Sequence, residues 1–350
     1  MPDTPEEFIA RWLPSGGSER ANYGLFLSEL CEVLGVERPG VSTAAGRGTY
    51  VLEREVTEVS IGTKSTQRWI DFYAKGRFII ETKQGVEKEE KQEAEQRARE
   101  GRKERKKRGH GIRGTEAYDR TMIKAKAQAE AYARLLPAEE GRPPFVLVID
   151  VGHVIEVYSE FSLTGGNYLP FPNATQYRIP LAKLADKETR ELLRTIWLDP
   201  MSLDPSRRAA LATREVAGRL AEIGESLSKQ KNEKDKPLYS AQQISAFLMR
   251  MIFTMFAEDM DLIPKGQFTA GLRSLRSKPA SFAPLITDLW EQMAKGGFSM
   301  FLRENIRHFN GGLFESIEVL PVNAGQLDLL IEAAECDWSQ VEPSIFGTLV

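Results

Sequence analysis

The order of apolar and polar positions divides the chain into an N-terminal part with mixed periods and a C-terminal part with a helical period. Three segments with apolar residues at every third or fourth position are predicted helices: 4–13, 18–35 and 116–136. Three segments that alternate or form short apolar runs are predicted strands and hairpins: 49–61, 68–83 and 144–158. From Leu181 onward the pattern predicts helices.

The predicted hairpin at 68–83 contains the charged residues with the strongest chemical implication. Asp71 lies on its first apolar run, a short link follows at 74–77, and the second run leads directly into Glu81-Thr82-Lys83. Strand residues two apart share a face, so Glu81 and Lys83 point the same way. A chain reversal in the link brings Asp71 back beside them.

This spacing, Asp-x9-Glu-x-Lys, is a form of the PD-(D/E)xK nuclease motif. Two hard oxygen ligands can hold Mg²⁺, or Mn²⁺ in its place, and a lysine can orient water or stabilise a developing phosphate charge. The alternative is a surface hairpin that carries these residue types without a catalytic role. The run Phe78-Ile79-Ile80 favours the site, because a strand that is apolar on both faces is typical of a central strand covered by helices.

Three further residues are candidates for the same site. Gln128 and Tyr132 lie four positions apart on a predicted helix, so the amide and the phenol share one helical face. The alternative is a half-buried tyrosine beside an incidental glutamine. Glu19 lies in the first turn of the second predicted helix, where the helix dipole favours a negative charge. It is either a surface acid or a further acidic member of the site.

A highly charged segment follows the hairpin, from Glu87 to Arg113. It contains six basic residues around a single acid: Arg102, Lys103, Arg105, Lys106, Lys107 and Arg108. A solvated helix or a mobile insertion would account for such a charge run. A DNA-binding arm that contacts phosphates just after the catalytic strand would account for it as well.

Composition narrows the classes of function. The 350 residues have a formal net charge of −3, so any attraction to nucleic acid must be local. Cys31 and Cys336 are far apart, which indicates neither a disulfide framework nor a zinc site and fits a reducing cytoplasm. Residues 1–7 lack the features of a signal peptide, and no apolar run is long enough to span a membrane.

Taken together, these elements predict a fold of two parts. Residues 1–178 are predicted to form an α/β core of the restriction-endonuclease-like PD-(D/E)xK type, with a mixed central sheet flanked by helices. Residues 179–350 are predicted to form an all-α domain. Its very apolar helix, which starts at Ser240, is predicted to be core rather than a cofactor site.

Several strings resemble the MmeI-like type IIL restriction-modification enzymes, over nearly the whole chain. In the N-terminal part the resemblance rests on the Asp71-x9-Glu81-x-Lys83 triplet, the Gln128-x-x-x-Tyr132 helix and the hairpin at 144–158. Three C-terminal strings resemble the helical spacer of that family: Phe256-Ala-Glu-Asp-Met-Asp-Leu-Ile-Pro264, Phe309-Asn-Gly-Gly-Leu-Phe314 and Trp338-x-x-Val-Glu-Pro-Ser-Ile-Phe-Gly-Thr348. Related large DNA methyltransferases of phage-defence systems share this spacer.

The resemblance implies a Mg²⁺-dependent endonuclease of the type II restriction class, which hydrolyses phosphodiester bonds of double-stranded DNA. It implies that Asp71 and Glu81 bind Mg²⁺ with help from the Thr82 carbonyl group, and that Lys83 positions the attacking water. A single active site per chain is compatible with a transient dimer for double-strand cleavage.

The same resemblance assigns roles to the helical residues. Gln128 and Tyr132 would lie beside the metal or the scissile phosphate. Glu19 falls where related nucleases carry an acid on the first core helix.

In that family a SAM-dependent adenine methyltransferase domain and a target-recognition domain follow the spacer. The sequence contains neither a Gly-rich SAM loop nor an Asn-Pro-Pro-Tyr/Phe motif, and Arg142-Pro-Pro-Phe145 lacks the essential Asn. We therefore expect an N-terminal segment that stops before the methyltransferase, with SAM needed only by that downstream domain. The alternative function is a non-catalytic N-terminal scaffold that supports a methyltransferase domain or the partners of a defence complex.

Overall fold

The computed structural model describes residues 4–14, 19–40, 48–58, 65–85, 112–309 and 312–341. The chain forms two compact units, Met1–Asp204 and Pro205–Val350, and each unit is described by itself.

The first unit is built on one mixed sheet. Its strands are β1 Tyr50–Glu58, β2 Thr66–Ala74, β3 Phe78–Lys83, β4 Phe145–Asp150, β5 Val154–Ser159, β6 Leu169–Pro170 and β7 Arg178–Pro180. The strand order is β1-β2-β3-β4-β5-β6, and β7 also pairs with β5. β3 and β4 run parallel, whereas the other paired strands of this sheet run antiparallel.

Helices cover both faces of this sheet. The helices described in the first unit are α1 Pro5–Trp12, α2 Glu19–Val33, α3 Glu116–Leu135 and α4 Lys187–Leu198. Side chains of α1, α2 and α4 share a core with Phe78 and Leu147 on one face. Side chains of α3 share a core with Ile79 and Val148 on the other face. Neighbouring residues of β3 and β4 therefore enter opposite cores, which explains their continuous apolar runs and confirms the predicted mixed sheet flanked by helices.

The first unit extends past the boundary that the sequence predicted between residues 178 and 179. Helix α4 lies after that boundary, yet it buries Leu193, Ile196 and Trp197 in the first core. The Trp197 ring lies against the Phe78 ring, with 4.3 Å between the ring centroids. Because removal of α4 would uncover the centre of the sheet, the compact unit ends only at Asp204.

The second unit is helical and contains one short hairpin. Its described helices are α5 Pro205–Ser228, α6 Ala241–Asp259, α7 Gln267–Ser274, α8 Phe282–Lys295 and α9 Ala324–Ala334. Strands β8 Gly297–Ser299 and β9 Glu304–Ile306 pair antiparallel, which corrects the prediction of an all-α domain. Three-residue strands are too short to show an alternating pattern in the sequence. In the part of the chain that the structure describes, no helix is long and apolar enough to cross a membrane.

The regular alternation of β2 side chains between the two faces of the sheet is interrupted at Asp71. Phe72 enters the core beneath α1, α2 and α4, whereas Ile70 enters the core beneath α3. Residues two apart on a regular strand would share one face. The residue opposite Asp71 on β1 is Glu53, which lies between the partners of Phe72 and Ile70 and has a left-handed backbone with φ of 51°. The two strands therefore kink together at Glu53 and Asp71.

A buried ion pair ties the ends of β3 and β4 together. The carboxylate of Asp150, which is fully buried, accepts hydrogen bonds from Arg113 at 2.8 and 3.0 Å and from the Tyr118 hydroxyl at 2.9 Å. It also accepts the Gly85 amide at 2.8 Å. A Cβ atom at Gly85 would lie 2.9 Å from Asp150 Oδ2, so this approach requires glycine. Asp150 thus binds residues from both sides of the segment 86–111.

We predict that Asp150→Asn lowers the free energy of unfolding by about 3–5 kcal/mol, because it removes the buried negative charge that binds the Arg113 guanidinium. Urea denaturation of the full chain measures this change. Asp186→Asn is the matched control, since Asp186 pairs with Lys183 while their side chains are 52% and 63% exposed. That control should change stability by less than about 1 kcal/mol. Equal effects of the two substitutions would show that the buried contacts of Asp150 stabilise the fold no more than an exposed ion pair does.

The kink gives a second prediction, which compares the stability of glycine and alanine variants at two positions of β1. At position 53, Gly should be more stable than Ala by about 1 kcal/mol, because a Cβ is unfavourable in the left-handed region. At position 55 on the same strand, Ala should be more stable than Gly by about 0.5–1 kcal/mol. The comparison of Gly with Ala removes the effect of losing the Glu53 carboxylate. The same sign at both positions would contradict the left-handed conformation of Glu53.

Candidate active site

The candidate site forms where the ladder between β2 and β3 ends. Backbone pairing of the two strands stops after the Phe72–Ile80 pair. Beyond it, Asp71 Oδ2 accepts hydrogen bonds from the Thr82 amide at 2.6 Å and from the Thr82 hydroxyl at 2.5 Å. The carboxylate thus serves the Thr82 amide in place of a β2 backbone carbonyl, and it is fixed beside the Glu81-Thr82-Lys83 stretch.

The Lys83 ammonium lies between two of the predicted metal ligands. Its Nζ donates to Glu81 Oε1 at 2.5 Å and to the Thr82 carbonyl oxygen at 2.8 Å. The Glu81 side chain is only 3% exposed, whereas the Lys83 side chain is 22% exposed. A nearly buried carboxylate is therefore neutralised by an ammonium that reaches it from the more open side. Asp71, Glu81 and Lys83 meet around Thr82.

The electrostatic environment of Asp71 favours an additional positive charge. Burial raises the pKa of Asp71 above its ordinary value, although the hydrogen bonds from Thr82 and the charge of Lys83 act to lower it. The negative charge of Glu53 raises the pKa further. A carboxylate with a raised pKa is one whose charged form is incompletely compensated, and a bound cation would supply that compensation.

Helix α3 brings Tyr132 to the same place. Gln128 Nε2 donates to the Tyr132 hydroxyl at 2.7 Å, as expected for residues four apart on one helical face. Burial, and then the charge of Glu81, raise the pKa of Tyr132, and Asp71 adds to this effect. The phenol therefore stays protonated at neutral pH and can donate a hydrogen bond. Gln128 and Tyr132 form one pair beside the carboxylates, and the ring of Tyr132 is part of the core beneath α3.

The sequence reasoning missed Glu53 and Tyr23. Glu53 opposes Asp71 across β1 and β2, and its Oε1 accepts the Tyr23 hydroxyl of α2 at 2.6 Å. The left-handed conformation that creates this position has no sequence signal at a glutamate, because glycine and asparagine are the residues that indicate it. Glu53 adds a third negative charge near the site without a place in the motif.

Glu19 and the basic run 102–108 stay predictions. Glu19 is the first residue of α2, but its side chain lies outside the described residues. The basic residues from Arg102 to Arg108, predicted to contact DNA, also lie outside them.

The donor set around Lys83 suits a hard divalent cation. It comprises the Asp71 and Glu81 carboxylates and the Thr82 carbonyl oxygen, and magnesium prefers such oxygen ligands together with several waters. The Lys83 ammonium already places a positive charge in contact with two of these three groups, the Glu81 carboxylate and the Thr82 carbonyl. Within the described ranges, no three side chains of the His, Cys, Asp and Glu types are grouped to hold a metal. A cation at this place would therefore have two carboxylates and one carbonyl group as protein ligands, and water would complete its coordination.

Comparison with known proteins gives two family matches and one curated relative. Residues 3–230 match the family described as MmeI, N-terminal domain, and residues 242–314 match MmeI, helicase spacer domain. The chain is also 29% identical to DNA methyltransferase A of Bacillus subtilis (strain 168) over 142 residues, which are 39% of this chain and 16% of that protein. No solved structure matches the chain.

These matches confirm the resemblance read from the triplet and the spacer strings. The N-terminal match alone covers more than half of the chain. The matched part spans only 16% of the length of the methyltransferase. The chain therefore belongs to the MmeI family and combines its N-terminal domain with its helicase spacer domain.

Proposed function

We propose that the first unit is a Mg²⁺-dependent DNA endonuclease module of a fused restriction-modification protein. The observation that carries the proposal is the meeting of Asp71, Glu81 and Lys83 around Thr82, at the point where the β2–β3 ladder ends. Membership of the MmeI family supplies the restriction-modification context. The substrate would be double-stranded DNA, and the reaction would be hydrolysis of a phosphodiester bond.

Each residue of the site has a separate task in this proposal. Asp71, Glu81 and the Thr82 carbonyl would hold Mg²⁺, which supplies charge neutralisation at the scissile phosphate when it is bound. The Lys83 ammonium would orient the attacking water or stabilise the negative charge that develops on phosphate. The protonated Tyr132 hydroxyl, oriented by Gln128, would donate to a phosphate oxygen. Glu19 and the basic run 102–108 are proposed to join the site and the DNA contact, respectively.

The remaining parts of the proposal concern the larger protein. A methyltransferase domain that uses SAM and a target-recognition domain are the proposed partners of this module, because the chain is similar to part of a DNA methyltransferase. We further propose that cleavage of both strands uses a transient dimer, since each chain would carry one site. Such a protein would act in the cytoplasm, where its DNA substrate is found.

The second candidate function is a non-catalytic scaffold for a methyltransferase or for defence-complex partners. One observation favours it: the described residues contain no group of three side chains arranged to hold a metal. The two candidates differ in whether the Asp71–Glu81 pair binds a divalent cation at all, so cation binding discriminates between them.

Cleavage is the direct test of the nuclease. With Mg²⁺ or Mn²⁺ and supercoiled plasmid, the wild-type chain should produce nicked or linear DNA, and EDTA should stop the reaction. Asp71→Asn and Glu81→Gln should each lower the rate about 100-fold or more, because the charge that neutralises the phosphate is lost. Glu55→Gln on β1 is the control and should cut at the wild-type rate. Unchanged cleavage by both site variants would refute the assignment.

Thermal unfolding with Mn²⁺ separates the nuclease from the scaffold. Wild-type Tm should rise with Mn²⁺ concentration, because a ligand that binds only the folded state stabilises it. Asp71→Asn should show no such rise. Without metal, Asp71→Asn should be at least as stable as wild type at neutral pH, because the raised pKa of Asp71 means that its charge opposes folding there. Its advantage should vanish in acid, where Asp71 is protonated. Identical Mn²⁺ responses of the two proteins would favour the scaffold.

A further inference from the structure

The Lys83 ammonium touches the same oxygen atoms that would hold the metal. Nζ lies 2.5 Å from Glu81 Oε1 and 2.8 Å from the Thr82 carbonyl oxygen. Both atoms belong to the three-group ligand set of the proposed function. An ammonium and a divalent cation cannot share these contacts, because like charges at such a distance repel strongly where solvent is largely excluded.

We propose that Lys83 is a tethered cation that occupies the divalent-cation position of the metal-free protein and leaves it when the metal binds. This inference rests on the proposed function and deepens it, since it assigns to Lys83 a role before any DNA is cut. The lysine would preserve the site while metal is absent. When a metal is bound, the Lys83 ammonium would move toward solvent, to which its side chain already has access.

Comparison with the neighbouring buried carboxylates shows why lysine suits this role. Asp150 and Glu156, which lie on the adjacent strands β4 and β5, are bound by the guanidinium groups of Arg113 and Arg178. Arginine binds through a rigid planar fork, and the Arg113 pair uses two of its nitrogens. Of these three buried acids, Glu81 is the one paired with a lysine, which is a compact charge on a flexible four-carbon stem. Its contacts can therefore be exchanged without rebuilding the sheet.

Burial sets the direction of the exchange. The Glu81 side chain is 3% exposed and needs a positive charge in every state of the protein, whereas the Lys83 side chain is 22% exposed and has access to solvent. A divalent ion would compensate Glu81 and also Asp71, whose carboxylate accepts hydrogen bonds from the neutral Thr82 amide and hydroxyl. The metal thus satisfies two carboxylates where Lys83 satisfies one directly. The released ammonium would remain close to the site, because its flexible four-carbon stem tethers it there.

Removal of the ammonium should therefore strengthen metal binding. Mn²⁺ is titrated against the full-length chain, and its apparent Kd is obtained from the increase in Tm. Lys83→Met should bind Mn²⁺ at least tenfold more tightly than wild type, although it should not cut DNA. Without metal its Tm should fall below that of wild type, because the nearly buried Glu81 carboxylate loses its contact with the Lys83 ammonium. Lys83→Arg, which keeps a positive charge, should bind Mn²⁺ no better than wild type.

Lys126→Met is the matched control. Lys126 pairs with Glu130 at 2.7 Å and its side chain is 21% exposed, close to the value for Lys83. Its substitution should leave the Kd for Mn²⁺ unchanged. If Lys83→Met does not fold, Lys83→Gln takes its place, and the wild-type protein supplies an independent measurement. Acylation of Lys83 by an amine reagent, followed by mass spectrometry, should accelerate when Mn²⁺ is added to wild type but not to Asp71→Asn.

The outcomes separate this inference from the proposed function. Tighter Mn²⁺ binding by Lys83→Met without plasmid cleavage by wild type would support the tethered cation and overturn the nuclease. Mn²⁺ binding by wild type that is equal to or tighter than binding by Lys83→Met would overturn the tethered cation and leave the nuclease standing. No Mn²⁺ binding by either protein would overturn both.

Discussion

The hydrogen bond from the Thr82 amide to the Asp71 carboxylate is the interaction on which the candidate site depends. A strand that stops pairing leaves an amide that must still find an acceptor, because an unsatisfied buried donor costs about 1–3 kcal/mol. Asp71 Oδ2 meets this need at 2.6 Å, and the kink at Glu53 and Asp71 marks the point where regular alternation stops. The same carboxylate thus satisfies a backbone amide of the sheet and belongs to the candidate site. Strain at Glu53 is the structural cost of that arrangement.

Three adjacent strands carry buried acids near this point. Glu81 on β3 and Glu156 on β5 are both opposite Val148, and Asp150 ends β4. Each acid has a basic partner, because an uncompensated buried charge would destabilise the fold by several kcal/mol. The partners differ in rigidity. Two are arginines, and Asp150 binds both Gly85 and Arg113, which lie on either side of the segment 86–111. The third is the lysine of the triplet, whose charge is carried on a flexible stem.

The local parts of the site could be predicted from the sequence. A chain reversal after β2 brings Asp71 back to Glu81 and Lys83, and a spacing of four on α3 places Gln128 and Tyr132 on one helical face. The central strand covered by helices could be predicted from the continuous apolar run at 78–80. Contacts between distant residues could not be read in this way. Nothing in the pattern joins Arg113 to Asp150, and no residue type at position 53 announces a left-handed backbone. The end of the first unit was misplaced for the same reason, because the packing of α4 on the sheet is also a contact between distant residues.

Family membership and local chemistry answer different questions about this chain. The matches to the MmeI domains place both units in a restriction-modification family, and the methyltransferase relative is matched over only 16% of its length. Fold and family do not fix an activity, so catalysis has to be argued from the site. Every described residue of that site belongs to the first unit. The charge balance of these residues can therefore be understood within the first unit.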